Sequence, residues 1–287
     1  MMKKNHPLAW VKIVIVLGIW WVAFQSWPLS FHQFSIPQLT SSTWLCLFFL
    51  GTLNWIIEWL KWHRLVSPIT PASRNTRWRE VNRGFLLGQG IPFGDWLGRM
   101  MEWSRKDQKV GWALNAYASS WQTVLTVGGA FLTGYLFFPT WPWFFLCALF
   151  LVYFILHFYT ERLSWKGHSF PRVRQWETGV WSSLRHLILT WQALILTQSF
   201  GFQLSPWEII AAWQWIWFIK MLGGILNVWG ELGTRQWSGV FFLGSIGLPA
   251  WESTVLIWLL WILNNSIPFI LGSIYWLRSW KSSTSLP

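Results

Sequence analysis

Two short stretches of this chain place an acid and an arginine four residues apart in glycine-rich surroundings: Gly94-Asp95-Trp96-Leu97-Gly98-Arg99 and Gly230-Glu231-Leu232-Gly233-Thr234-Arg235. On a helix that spacing sets carboxylate and guanidinium on one face, where they pair and lower the cost of carrying charge into an apolar medium. Further glycines precede each motif, Gly88 and Gly90 in the first case and Gly223 and Gly224 in the second. A planar guanidinium fork suits phosphate, so Arg99 and Arg235, partnered by Asp95 and Glu231, are candidate contacts for a lipid head group. The alternative is that each acid merely pairs with its own arginine and stabilises a turn.

Other polar side chains interrupt apolar runs: Asn54 and Glu58, then Arg185, His186 and Gln192, and finally Lys220. Ionisable groups inside a membrane are functional candidates by default. Asn54, Glu58, Arg185 and Gln192 therefore join the two motifs as candidate substrate-binding residues. Glu58, Arg185 and above all Lys220 have the alternative of snorkelling toward a nearby helix end. No histidine or cysteine spacing matches a metal site. A nucleophile elbow, a Walker loop and a dinucleotide fingerprint are also missing, so the expectation is no metal, no cofactor and no enzymatic activity.

The elements that must position these residues follow from composition. Only 11% of the 287 residues are charged, against about 25% in soluble domains, and the mean hydropathy is +0.35. A formal charge of +12 would suggest nucleic acid in a soluble protein. Here the Lys and Arg residues fall in short connections between apolar runs, where they set membrane orientation, and nucleic acid is not expected as a partner.

Apolar stretches long enough to cross about 30 Å of hydrocarbon run over 8–26, 43–61, 112–138, 141–159, 180–201, 206–225 and 252–277, with a shorter one at 237–250. Basic connections alternate with the stretches 27–42, 139–140 and 202–208, which hold no Lys or Arg. The alternation predicts about eight crossings of a bacterial inner membrane with both termini cytoplasmic. The expected fold is all-α, a polytopic transmembrane helix bundle forming one domain over 1–287. The segment at about 80–104 would start and end on the cytoplasmic side, as a re-entrant hairpin does, and about 223–237 forms a second broken-helix region. Two such breaks in one chain are how transporters bring a site to the midplane. Cys46 and Cys147 are expected to be small core residues rather than a disulfide framework. The 30 tryptophans exceed the needs of an interfacial belt, and the sequence offers no reason for the excess.

Several of these pieces also occur together elsewhere. The run Leu53-Asn54-Trp55-Ile56-Ile57-Glu58-Trp59-Leu60-Lys61-Trp62, and Gly88 to Met100 with its Pro92, are followed by Ser183-Leu184-Arg185-His186 with Gln192. After the Gly230 to Arg235 motif comes Trp261-Ile262-Leu263-Asn264-Asn265-Ser266-Ile267-Pro268 with Gly272. In order and spacing they resemble the transmembrane region of lysylphosphatidylglycerol synthase and its flippase-like relatives. The likeness covers most of the chain from about Asn54 onward. It departs at Leu226-Asn227-Val228, where the family often carries a proline.

The resemblance implies a membrane domain that moves a lipid between leaflets. Full-length synthases add a cytoplasmic domain that transfers lysine from its transfer RNA to phosphatidylglycerol. Here spans reach nearly to Pro287, and the expectation is the stand-alone membrane domain without synthase activity. Its implied partners are membrane lipids, an anionic or amino-acylated phospholipid or a lipid-linked intermediate, and beside them a separately encoded enzyme. A different class of function also fits: a non-transporting subunit that docks a partner enzyme or envelope-assembly complex through the basic loops at 61–83 and 161–174.

Overall fold

Helices form where the cap chemistry allows them to start. Thr40 accepts a hydrogen bond from the Thr43 amide at 3.2 Å, an N-cap that opens α1 (Ser41–Val66). Ser205 and Glu208 exchange bonds, the Ser205 amide donating to the Glu208 carboxylate at 3.0 Å and the Glu208 amide to Ser205 Oγ at 3.2 Å. That capping box, with Pro206 in the first turn, opens the helix Pro206–Ile225.

The computed structural model describes residues 39–70, 72–88, 94–101, 103, 105–139, 151–152, 172–225 and 231–284. Among them the order is α1, α2 (Arg74–Gly88), α3 (Gly94–Met100), α4 (Arg105–Thr133) with a 3-10 turn at Gly134–Leu136, and α5 (Arg172–Gln198). Then come α6 (Pro206–Ile225), α7 (Glu231–Ser245) and α8 (Ala250–Thr284). The protein is all-α: no strand occurs among the described residues. Two helices, Ser41–Val66 and the Ala250–Tyr275 part of α8, are long and apolar enough to cross a membrane.

The expected stretches at 43–61, 206–225 and 252–277 fall on helices, as does 180–201 up to Gln198, while α4 begins at Arg105 because the charged segment ahead of the apolar run is itself helical. The expected first span at 8–26, most of that at 141–159, and Cys147 lie outside the described residues. Cys46 is exposed, a correction to its expected place in a core. Near its start α1 turns Leu45, Cys46, Phe48 and Phe49 outward and only Leu47 inward.

Burial along α5 runs opposite to that of a surface helix in water, which hides its apolar stripe. Its outer face is apolar, with Trp176, Val180, Leu184, Leu187 and Trp191 exposed three or four residues apart, while Thr178, Ser182, His186 and Gln192 are buried beside Ile188, Ala193 and Leu196. α1 shows a second reversal. Its Leu47 joins an apolar cluster with Leu196, Trp213 and Leu243, and its Trp62 and Leu65 join another with Val81 and Leu114. Between them along α1 the buried Asn54, Glu58 and Lys61 form a polar layer.

Helices cross closely where glycine permits. A Cβ on Gly98 of α3 would run into the Arg83 carbonyl of α2, and one on Gly51 of α1 into the Leu263 carbonyl of α8. Some tryptophans act as buried donors: Trp62 and Trp103 each donate Nε1–H to the Glu80 carboxylate at 2.8 Å, and Trp213 to Thr197 Oγ1 at 3.0 Å.

Candidate functional site

The polar layer begins with two asparagines. Asn54 sits at the middle of Ser41–Val66 and Asn264 near the middle of Ala250–Tyr275, and Asn54 Nδ2 donates to Asn264 Oδ1 at 2.8 Å. Asn264 Nδ2 donates in turn to the Leu260 carbonyl at 2.8 Å. Four residues on, Pro268 lies inside α8. Having no N–H, it cannot satisfy the Asn264 carbonyl, so one backbone acceptor is released at mid-helix.

Arg185 of α5 links this pair to a carboxylate. Its Nε donates to Asn54 Oδ1 at 2.8 Å, and its Nη1 donates to Glu58 Oε2. Glu58 also receives Lys61 Nζ at 2.8 Å and Arg99 Nη2 at 2.7 Å. Arg99 turns back to Asp95 as well, Nε donating to Oδ1 at 3.0 Å and Nη2 to Oδ2 at 3.2 Å, and stacks over the Trp62 ring at 4.9 Å. Three cations and two carboxylates from α1, α3 and α5 thus share one network. Most of it is out of solvent: the Glu58, Lys61 and Arg99 side chains are at most 5% exposed. Pairing is what makes such burial tolerable.

Beside the network lies a cavity of about 370 Å³, within the range of roughly 300–1,000 Å³ found for ligand sites. Its wall carries three cations, Arg185, Lys220 and Arg235, and the amides of Asn54, Gln122, Asn264 and Asn265. Thr123 and Thr126 add hydroxyls, Trp213 and Trp217 aromatic surface. No described Asp or Glu lines it. Behind Gln122, whose Nε2 lies 2.9 Å from His186 Nδ1, the other ring nitrogen meets Gln214 Oε1 at 3.0 Å. Among the described residues no group of His, Cys, Asp and Glu is placed to hold a metal ion.

The structure divides the candidates. Asn54, Arg185 and Arg235 line the cavity, while Glu58, Arg99 and Asp95 form the ionic network behind Arg185. Gln192 belongs to neither: its Nε2 donates to the Leu47 carbonyl at 3.0 Å, beside the close crossing at Gly51. Glu231 opens α7, one turn before Arg235, and its side chain lies outside the described residues. Both acid-arginine motifs stand at the start of a helix, where the macrodipole favours an acid. Lys220, Gln122 and the pair Asn264-Asn265 are cavity residues that the sequence reading did not select as binding residues. The double amide four residues before Pro268 was the available signal.

No protein-family model matches this chain, and neither curated proteins nor solved structures offer a match.

Proposed function

We propose that this protein is a multi-pass membrane protein, with about eight crossings of a bacterial inner membrane, that binds an anionic lipid head group in the central cavity and passes it between leaflets. The observation carrying the reading is the depth and charge of that cavity. Its Asn54 and Asn264 come from the centres of the two described helices long and apolar enough to cross a membrane, and its wall adds Arg185, Lys220 and Arg235 without a described acid. A phosphate is the chemistry that such a wall accepts, since guanidinium and ammonium donors converge on it and the amides supply further hydrogen bonds.

The reversed burial of α5 supports a lipid surround, because apolar side chains gain nothing from exposure to water. The resemblance to the membrane region of lysylphosphatidylglycerol synthase supports the same reading, with phosphatidylglycerol or its amino-acylated form as substrate. The test is exchange of a head-group-labelled phosphatidylglycerol in proteoliposomes, followed by quenching of the outer leaflet. Wild type accelerates exchange, and Lys220→Gln/Arg235→Gln lowers the rate at least tenfold without changing protein insertion. Equal rates in the two proteins, or no acceleration over empty liposomes, would overturn the proposal.

A further inference from the structure

A second cavity lies away from the first, at the far end of α1. It encloses about 610 Å³ between the last turns of α1 and the start of α2. Trp59, His63 and Arg64 of α1, Ser67 and Pro68 of the connection, and Arg74 of α2 wall it. Along α1 these residues begin five positions beyond Asn54 and extend to ten, roughly 8–15 Å at 1.5 Å per residue. If Asn54 marks the centre of a span, the second cavity opens at the boundary between hydrocarbon and lipid head groups, about 15 Å from the centre, where Arg64 stands.

Its floor is a slab of parallel rings: Trp59 stacks on Trp78 with centroids 4.6 Å apart and on His63 at 5.6 Å. Trp59 Nε1 is buried and has no hydrogen-bond partner among the described residues. His63 is held by Ser67, Oγ to Nδ1 2.9 Å. The field is positive, since Arg64, Arg74 and Arg77 all act on the His63 ring and no described Asp or Glu lines the cavity. The one acid on α2, Glu80, is occupied by Arg77, Trp62 and Trp103.

We infer that this cavity is a docking site for the head group of an anionic phospholipid. The phosphate would lie between Arg64 and Arg74, with Trp59 Nε1–H as an added donor and the apolar stem of the lipid running along α1. Interfacial tryptophan and arginine at the end of a spanning helix are the ordinary means of holding a head group. A free phosphate lacks the apolar portion that the ring slab and Pro68 would cover. The inference rests on α1 crossing the membrane and not on translocation.

The test is native mass spectrometry of the intact protein in mild detergent, titrated with phosphatidylglycerol or phosphatidylcholine. Wild type is expected to hold phosphatidylglycerol at a site that Arg64→Gln/Arg74→Gln weakens roughly thirtyfold, the loss of two interfacial charges. Trp59→Phe, which keeps the ring but removes the donor, should weaken it a few-fold. Lys220→Gln/Arg235→Gln should leave it intact, so that failure of the central cavity and failure of this site are read separately. Unchanged binding in Arg64→Gln/Arg74→Gln would overturn the inference, as would equal retention of phosphatidylcholine. Displacement of the lipid by millimolar inorganic phosphate would overturn its assignment to a lipid.

Discussion

Replacing Glu58 with Gln keeps the shape of the side chain and removes the one carboxylate on which Lys61, Arg99 and Arg185 converge. Arg99 retains Asp95, but Lys61 and Arg185 lose the only carboxylate shown pairing with them. Their side chains are 3% and 19% exposed, so water reaches Arg185 in part and Lys61 hardly at all. Removing one member of a buried pair costs about 3–5 kcal/mol, because the survivor stays charged and desolvated. With three cations on one acid the cost should fall toward the upper end, a reduction of roughly several thousandfold in the ratio of folded to unfolded protein.

Unfolding in mixed micelles with rising dodecyl sulfate, followed by far-ultraviolet circular dichroism, measures that cost. The double variant Glu58→Gln/Arg185→Gln removes one of the stranded cations and should recover at least about 1.5 kcal/mol relative to the sum of the single changes, a coupling expected of residues in one network. A cost below about 1 kcal/mol for Glu58→Gln is what a solvated surface pair gives. That result, or additivity in the double variant, would show that the cluster is wet and that its charges are not mutually dependent.

Two further changes probe the framework around the site. Gly98→Ala should destabilise by about 1–3 kcal/mol through overpacking, since its Cβ would enter the Arg83 carbonyl, whereas Gly128→Ala, with open space around the same atom, should be neutral or mildly stabilising in the same denaturation assay. Asn54→Leu and Asn264→Leu, compared singly and together, should show a coupling of about 0.5–1.5 kcal/mol from their interhelical hydrogen bond; additive costs would mean that each amide is satisfied elsewhere.

Which polar residues stand in apolar surroundings was more legible in the sequence than what they touch. A charge in an apolar run is visible because desolvating it is costly, and that alone selects Glu58, Arg185 and the two acid-arginine motifs. Local spacing rules also see Asp95 with Arg99, four residues apart on one helix. They cannot see Arg99 reaching Glu58 across 41 residues, or Asn54 meeting Asn264 across 210. Gln192 illustrates the reverse error: a polar side chain in an apolar run that is spent on a neighbouring helix's carbonyl at a close crossing. Lys220 fails for another reason. α6 is apolar on nearly every side, so no periodicity in its sequence distinguishes the face that meets the cavity from the one that does not.

The geometry also joins the first acid-arginine motif, Glu58 and the cavity wall through shared side chains. Arg185 is shared between the cavity wall and Glu58, and Glu58 is shared between Arg185 and Arg99 of α3. On the proposed function, an anion in the cavity would compete with Glu58 for the same guanidinium. In that competition Glu58 would keep Lys61 and Arg99, which leaves it as the carboxylate that links the cavity wall to the short helix α3. If the cavity holds a lipid head group as proposed, its affinity and the stability of Glu58→Gln are two readings of one competition. A variant that frees Arg185 from Glu58 should hold the anion more tightly while folding less well.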